Sequence, residues 1–157
     1  MNSDDGRENF IFKPAIPRAN SVRRAFPLVQ LFHPSLDFDA WVAYTRFFTR
    51  MSRRRGGLVV LEDDRGYVHA LFAYRLTYHL RYRQVLHVSD ILMGHLPGQT
   101  LARALITEAT KIGKDRGCAS IVLEFAEEGA APPRDVLADM GFRPIAAHLH
   151  VGPWLAS

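Results

Sequence analysis

Apolar positions along the chain change period several times, and each change marks an expected element. Residues 1–19 are mainly polar and charged, with prolines at Pro14 and Pro17. We read 1–20 as a flexible leader that packs Phe10, Ile11 and Phe12 onto one domain spanning 21–157. Residues 22–32 read as a strand bent at Pro27. Pro34 and Ser35 mark a loop, and Asp37 or Asp39 can cap a helix beginning near Phe38. Within it Trp41, Val42, Thr45, Phe48 and Thr49 recur at helical spacing, and Gly56-Gly57 stops it. Residues 58–61 form a short apolar strand and 62–66 a polar hairpin turn ending in glycine. The strand over 67–79 places Val68, Ala70, Phe72, Tyr74 and Leu76 on one face.

A buried strand over 84–93 follows, then a turn with Pro97 and Gly98 and a helix of about five turns. Residues 121–125 are a compact apolar strand, followed by a loop over 127–129. Pro132-Pro133 opens a short helix over 134–140, which Gly141 closes. Residues 142–151 read as a last strand. The order β-α-β-β-β-α-β-α-β predicts an α/β (mixed α+β) fold with a mixed, mostly antiparallel sheet flanked by helices. The strand–helix–strand unit over 84–125 is expected to be parallel and right-handed.

Composition narrows the function. A hydrophobic content of 48% is ordinary for a globular protein. Cys118 is the only cysteine, which excludes an internal disulfide and a cysteine-based zinc cluster, and a reduced thiol fits a cytoplasmic protein. No apolar run approaches the roughly 20 residues that span a bilayer, so no membrane partner is expected. Residues 1–9 lack the apolar stretch of a secretory signal. Net charge is +4, and the densest basic cluster is Arg50, Arg53, Arg54 and Arg55. A nucleic-acid footprint wants more basic residues, interleaved with exposed aromatics. The cluster therefore reads as a solvated helix end, with no nucleic acid expected, though a positive field helps any anionic ligand approach. His148 and His150 alternate on one strand face without a third ligand at motif spacing, so no metal is expected.

The stretch from 85 to 118 carries the chemistry. A glycine turn feeding a helix exposes unpaired N–H groups at the positive end of the helix dipole, which can hold phosphates without a charged side chain. Gly98 permits close approach because it has no Cβ.

Three local pieces, set in this element order, carry a resemblance. They are Ser89-Asp90-Ile91-Leu92-Met93, His95-Leu96-Pro97-Gly98-Gln99-Thr100 and Leu137-Ala138-Asp139-Met140-Gly141-Phe142. Across about 22–154 the chain resembles the GNAT superfamily of acyl-CoA-dependent N-acyltransferases. The resemblance implies splayed fourth and fifth strands. The arm of acetyl-CoA, as co-substrate, would run along the backbone of Ile91, Leu92 and Met93. Its pyrophosphate would rest on the N–H groups of Gly98, Gln99, Thr100, Leu101, Ala102 and Arg103, and the Arg103 side chain could add a contact. The implied reaction is acetyl transfer to a primary amine by direct attack in a ternary complex, with the acceptor unidentified.

Such transfer needs a base, an oxyanion donor and a proton for the leaving thiolate. The Met93 N–H suits the oxyanion. Asp90 and His87 are the candidate bases, and strand alternation places them on opposite faces. Against the family pattern, His95 replaces Arg or Gln, Thr100 replaces a second small residue, and Leu137 stands where a tyrosine acid is common. Glu127 and Glu128 occupy the neighbourhood of the family's asparagine. Tyr74, Tyr78 and Tyr82 are possible substitutes for the acid, with Cys118 as a weaker alternative nucleophile. Two other readings stay open: a non-catalytic acyl-CoA-binding module, or an unrelated α/β interaction domain whose fourth and fifth strands pair throughout. The C-terminal strand and Trp154 make a homodimer plausible.

Overall fold

The computed structural model describes residues 12–96, 98–125 and 131–145. Its elements are β1 (Lys13–Ala15), α1 (Ala19–Phe32), α2 (Phe38–Arg50), β2 (Gly56–Glu62), β3 (Val68–His79) and β4 (Arg83–Met93). Then follow α3 (Thr100–Asp115), β5 (Ser120–Leu123) and α4 (Arg134–Asp139). The sheet runs β1-β2-β3-β4-β5 in space, antiparallel except for the parallel β4–β5 pair. This is the expected mixed, mostly antiparallel sheet with helices on both faces.

The largest correction falls on 22–32, which is helix and not strand. Ala25, Leu28 and Val29 are buried on one side of α1, a spacing that only a helix satisfies. Pro27 sits inside α1, where it lacks the N–H that would bond the carbonyl one turn back. Tertiary packing outweighs that loss: α1 lies on the sheet, and the Trp41 indole N–H donates to Val22 O at 2.8 Å, tying α1 to α2. The segment read as a leader is partly structured. Lys13–Ala15 pairs antiparallel with β2, and the Phe12 ring meets the His69 ring edge-on. Residues 1–11, including Phe10 and Ile11, lie outside the described residues.

The second helix begins as expected, with the Asp37 carboxylate accepting from Ala40 N–H at 2.8 Å. Trp41, Thr45 and Phe48 are its buried face. It stops at Arg50, ahead of the glycine pair, and residues 51–55 form a separate loop. No strand forms over 142–145, and the rest of the expected last strand, with His148 and His150, lies outside the described residues, as does Trp154.

Two apolar clusters sandwich the sheet. On the α3 face Phe72, Leu86, Val88, Ile91, Leu105 and Ile106 pack together. On the α1/α2 face Trp41, Phe48, Leu58, Val60, Leu71 and Leu92 do so. The β3–β4 register contains an irregularity that alternation cannot anticipate. Leu71 pairs with Leu92 and Ala73 with Ser89, so two steps on β3 face three on β4. Asp90 sits in this β-bulge at φ 50°, a left-handed conformation that aspartate tolerates better than most residues.

The β2–β3 turn is held by Asp63. Its Oδ1 accepts from Arg65 N–H at 2.9 Å and from Tyr67 N–H at 3.0 Å, and its Oδ2 meets His69 Nε2 at 2.8 Å. The His69 hydrogen bond, then the backbone N–H groups, hold the Asp63 carboxyl below the usual carboxylate range. A group whose folded pKa is depressed stabilises the fold above its unfolded pKa, near 3.9, and loses that contribution as pH falls through the folded value. Asp63→Asn is therefore expected to be less stable than the parent at neutral pH. In urea titrations at stepped pH the gap should close on acidification, whereas a pH-independent gap would contradict the assignment.

Candidate functional site

The strands β4 and β5 pair over only four rungs, from Val85–Ser120 to Val88–Leu123, with Glu124 N–H donating to Val88 O just beyond at 2.8 Å. Past this point β4 continues to Met93 with no partner on its β5 side among the described residues. The backbone of Ile91, Leu92 and Met93 thus borders an open edge, while their β3 side stays paired through Leu71–Leu92 and Ala70–Met93. Among the described residues, pairing throughout, which the unrelated-domain reading required, does not occur.

The chain then leads through Gly98, at φ +83°, into α3. A Cβ at Gly98 would meet nothing within 4 Å, so the turn leaves open space at the helix entrance. No side chain caps α3 and no acidic residue lies in its first turn; the first intrahelical bond runs from Arg103 N–H to Gln99 O at 3.0 Å. Leu101 and Ala102 bury their side chains in the core, so they can offer only backbone N–H groups outward. Gln99 donates to Asp135 at 2.9 Å, and Arg103 donates to Gln99 Oε1 at 3.1 Å and to Asp139 at 3.0 Å. These bonds brace the entrance of α3 against α4 and occupy the Arg103 side chain considered for a phosphate. Pro97 lies outside the described residues.

Polar groups gather on the other face of the sheet, beside α2. The bulge turns Asp90 toward that helix, where its carboxylate accepts from the Tyr44 hydroxyl at 2.7 Å. Burial, then the Asp90 charge and the hydrogen bond to it, raise the Tyr44 pKa far above the ordinary phenol range; nearby Arg75 opposes this. His87 pairs in register with Arg75, whose guanidinium lies 5.1 and 5.4 Å from the centres of the Phe47 and Phe48 rings of α2. The His87 ring meets Glu124 at 2.5 Å, bridging the point where β4 and β5 part.

The extra bulge residue therefore overturns the expectation that alternation separates His87 and Asp90. Both contribute to one polar strip on the α2 face, Asp90 through Tyr44 and His87 beside Arg75. Sequence reasoning missed Tyr44 and Glu124. Tyr44 looked like one more aromatic on an amphipathic helix, and nothing in the spacing links residue 44 to residue 90. Glu124 falls within the apolar run 121–125 expected as a strand, whereas β5 is Ser120–Leu123 and Glu124 lies just past its end.

The substitutes considered for the acid lie elsewhere. The Tyr74 ring faces Gly57 and its hydroxyl accepts from Arg116 at 3.0 Å. Burial raises its pKa, against the opposing Arg116 and Arg53 charges. Tyr78 is 85% exposed on the β3–β4 hairpin. Leu137 packs against the α3-face core. Burial pushes the Cys118 thiol up, which keeps it protonated and poorly nucleophilic. Among the described residues no group of histidine, cysteine and acidic side chains could hold a metal, and no helix is long and apolar enough to cross a membrane. Glu127 and Glu128 lie outside the described residues.

No protein-family model matches the sequence, and comparison with curated proteins gives no match. Solved structures do match across most of the chain. The aminoglycoside N-acetyltransferase AAC(6')-Iy in complex with CoA superposes with a TM-score of 0.73 at 12% identity, over 93% of this chain and 97% of that one. Glucosamine-6-phosphate N-acetyltransferase from Arabidopsis thaliana gives 0.70 at 14% identity, over 91% and 99%. A GNAT family acetyltransferase from Staphylococcus aureus gives 0.68 at 8% identity, over 90% and 98%. With its part-paired β4 and β5 and its glycine-led α3, this chain has the GNAT acetyltransferase fold.

Proposed function

We propose that this protein is a divergent GNAT N-acetyltransferase that moves an acetyl group from acetyl-CoA to a primary amine. The observation that carries the reading is the unpaired β4 edge over 89–93 running into an uncapped α3, with an acid–imidazole strip on the opposite face. The residues present fit such a ligand. The outward backbone groups of Ile91, Leu92 and Met93 can accept an extended amide-bearing arm as an added strand. The N–H groups from Gly98 to Arg103 can hold a pyrophosphate, with open space where a Cβ would stand at Gly98. The thioester supplies an activated acyl group.

On the acceptor side, the Asp90 carboxylate attracts the cationic amine, and Tyr44 fixes that carboxylate by hydrogen bond. His87, oriented through one ring nitrogen by Glu124, takes the amine proton on the other. The Met93 N–H would face the acyl oxygen. No tyrosine of this chain stands in the usual acid's place, so the thiolate would leave with solvent as its proton source. Leu137, partly buried against the α3-face core, also favours a second reading, a module that binds acyl-CoA without turnover.

Calorimetric titration with CoA and acetyl-CoA tests the shared part of both readings. Saturable binding of one equivalent is expected, and absence of heat at about millimolar ligand, an affinity of about 4 kcal/mol or less, defeats both. Release of free thiol over a panel of primary amines then separates them, since binding without turnover selects the module.

A further inference from the structure

We propose that the end of the molecule opposite the glycine turn binds single-stranded nucleic acid. Three segments meet there. Leu76 N–H donates to Arg55 O at 2.8 Å, and Ala119 N–H donates to Gln84 O at 2.9 Å. Arg116 donates to Arg53 O at 2.9 Å and to the Tyr74 hydroxyl at 3.0 Å. These bonds join the 51–55 loop, the β3–β4 hairpin and the end of α3 into one surface.

That surface gathers Arg53, Arg54 and Arg55 from the loop, Arg81 and Arg83 from the hairpin, and Arg116 between them. The four ion pairs of the described residues involve none of these side chains. Residues 40–61 and 65–89 contain no aspartate or glutamate. The acidic residues on the adjoining part of α3 are Glu108 and Asp115. Guanidinium forks match phosphate oxygens in geometry as well as charge.

The aromatics that the basic cluster lacks in sequence are supplied by the fold. Pairing of β2 with β3 ends at Gly56–Arg75, so the hairpin projects beyond β2. Tyr78 there is 85% exposed, and the Tyr82 ring lies 5.0 Å from the His79 ring with the Arg81 guanidinium 5.5 Å from its centre. An exposed Tyr78 and a half-buried Tyr82 set among arginines that form no ion pair are the footprint of a strand whose bases stack while its phosphates are neutralised. A membrane fits less well. The fully exposed Leu80 is the single aliphatic residue at the tip, and burying one leucine contributes only about 2 kcal/mol. A second copy would set these arginines against their own kind.

Fluorescence anisotropy of the full chain with labelled oligoribonucleotides and oligodeoxynucleotides tests the proposal, and the tighter arm names the source. Saturable binding that weakens with salt is expected. Arg53→Gln, Arg54→Gln and Arg55→Gln together should weaken it at least about tenfold and flatten the log–log salt slope by about 2, at about 0.7 per lost phosphate contact. Tyr78→Ala should weaken binding by roughly tenfold through lost stacking, with the slope unchanged. Far-UV dichroism and melting confirm that these surface variants stay folded. No anisotropy change at about 50 mM salt overturns the proposal, as does full affinity in Tyr78→Ala. Sedimentation with phosphatidylserine vesicles in the absence of oligonucleotide binding overturns it too.

Discussion

His87→Gln is expected to lower kcat/KM for amine acetylation by about 100- to 10,000-fold, the range over which a positioned base accelerates proton transfer. CoA affinity should stay unchanged, because the proposed arm and pyrophosphate contacts are backbone groups of β4 and α3. Glutamine keeps a hydrogen-bonding group within reach of Glu124 but cannot take up the amine proton. Added imidazole should therefore restore part of the lost rate by taking that proton, which it would not do for simple disruption of the β4–β5 junction. Glu124→Gln, acting through the imidazole, should show a smaller loss. Equal rates for parent and His87→Gln would move the base to Asp90 or to a water held there, and Asp90→Asn would then be the informative variant.

Phe72→Ala is expected to lower stability by about 3–5 kcal/mol, the cost of removing a buried aromatic ring and leaving its cavity. Phe72 is fully buried on the α3 face. It is the one β3 residue between Leu71 and Ala73, opposite both Asp90 and Ile91 of β4, so its ring fills space beneath the bulge that presents Asp90. The ring also packs in the cluster that contains Leu105 and Ile106 of α3, and losing it loosens both walls of the candidate site at once. Urea denaturation measures the effect, with Phe72→Leu as the milder comparison. A loss below about 1 kcal/mol would show that the bulge does not rest on this ring.

How far the sequence alone reaches depends on the range of the interaction that decides each feature. The Asp37 cap, the Gly66 turn, the apolar face of α2 and the glycine entrance to α3 follow from residues within a few positions of one another, and they stand as expected, except that Thr49 of α2 is exposed and Val42 half-buried. The 22–32 segment misled because its proline argued against helix. Only contact with the sheet and with α2, two partners distant in sequence, offsets the carbonyl that Pro27 leaves unbonded.

The candidate site divides in the same way. The strand edge and the helix entrance were legible, since they are backbone features that a glycine and an apolar run announce. The polar strip was not. Asp90 and Tyr44 are 46 residues apart, and whether Asp90 faces α2 depends on one unpaired residue in the β3–β4 register. Arg116 likewise reaches across 63 residues to the Arg53 carbonyl. Local patterning, which acts through neighbouring side chains and backbone propensity, thus determined most of the elements, the mixed sheet and the glycine turn before α3. The tertiary structure decided which charges share a face, because a single bulge or a single long-range hydrogen bond redirects a side chain without leaving any periodic trace in the chain.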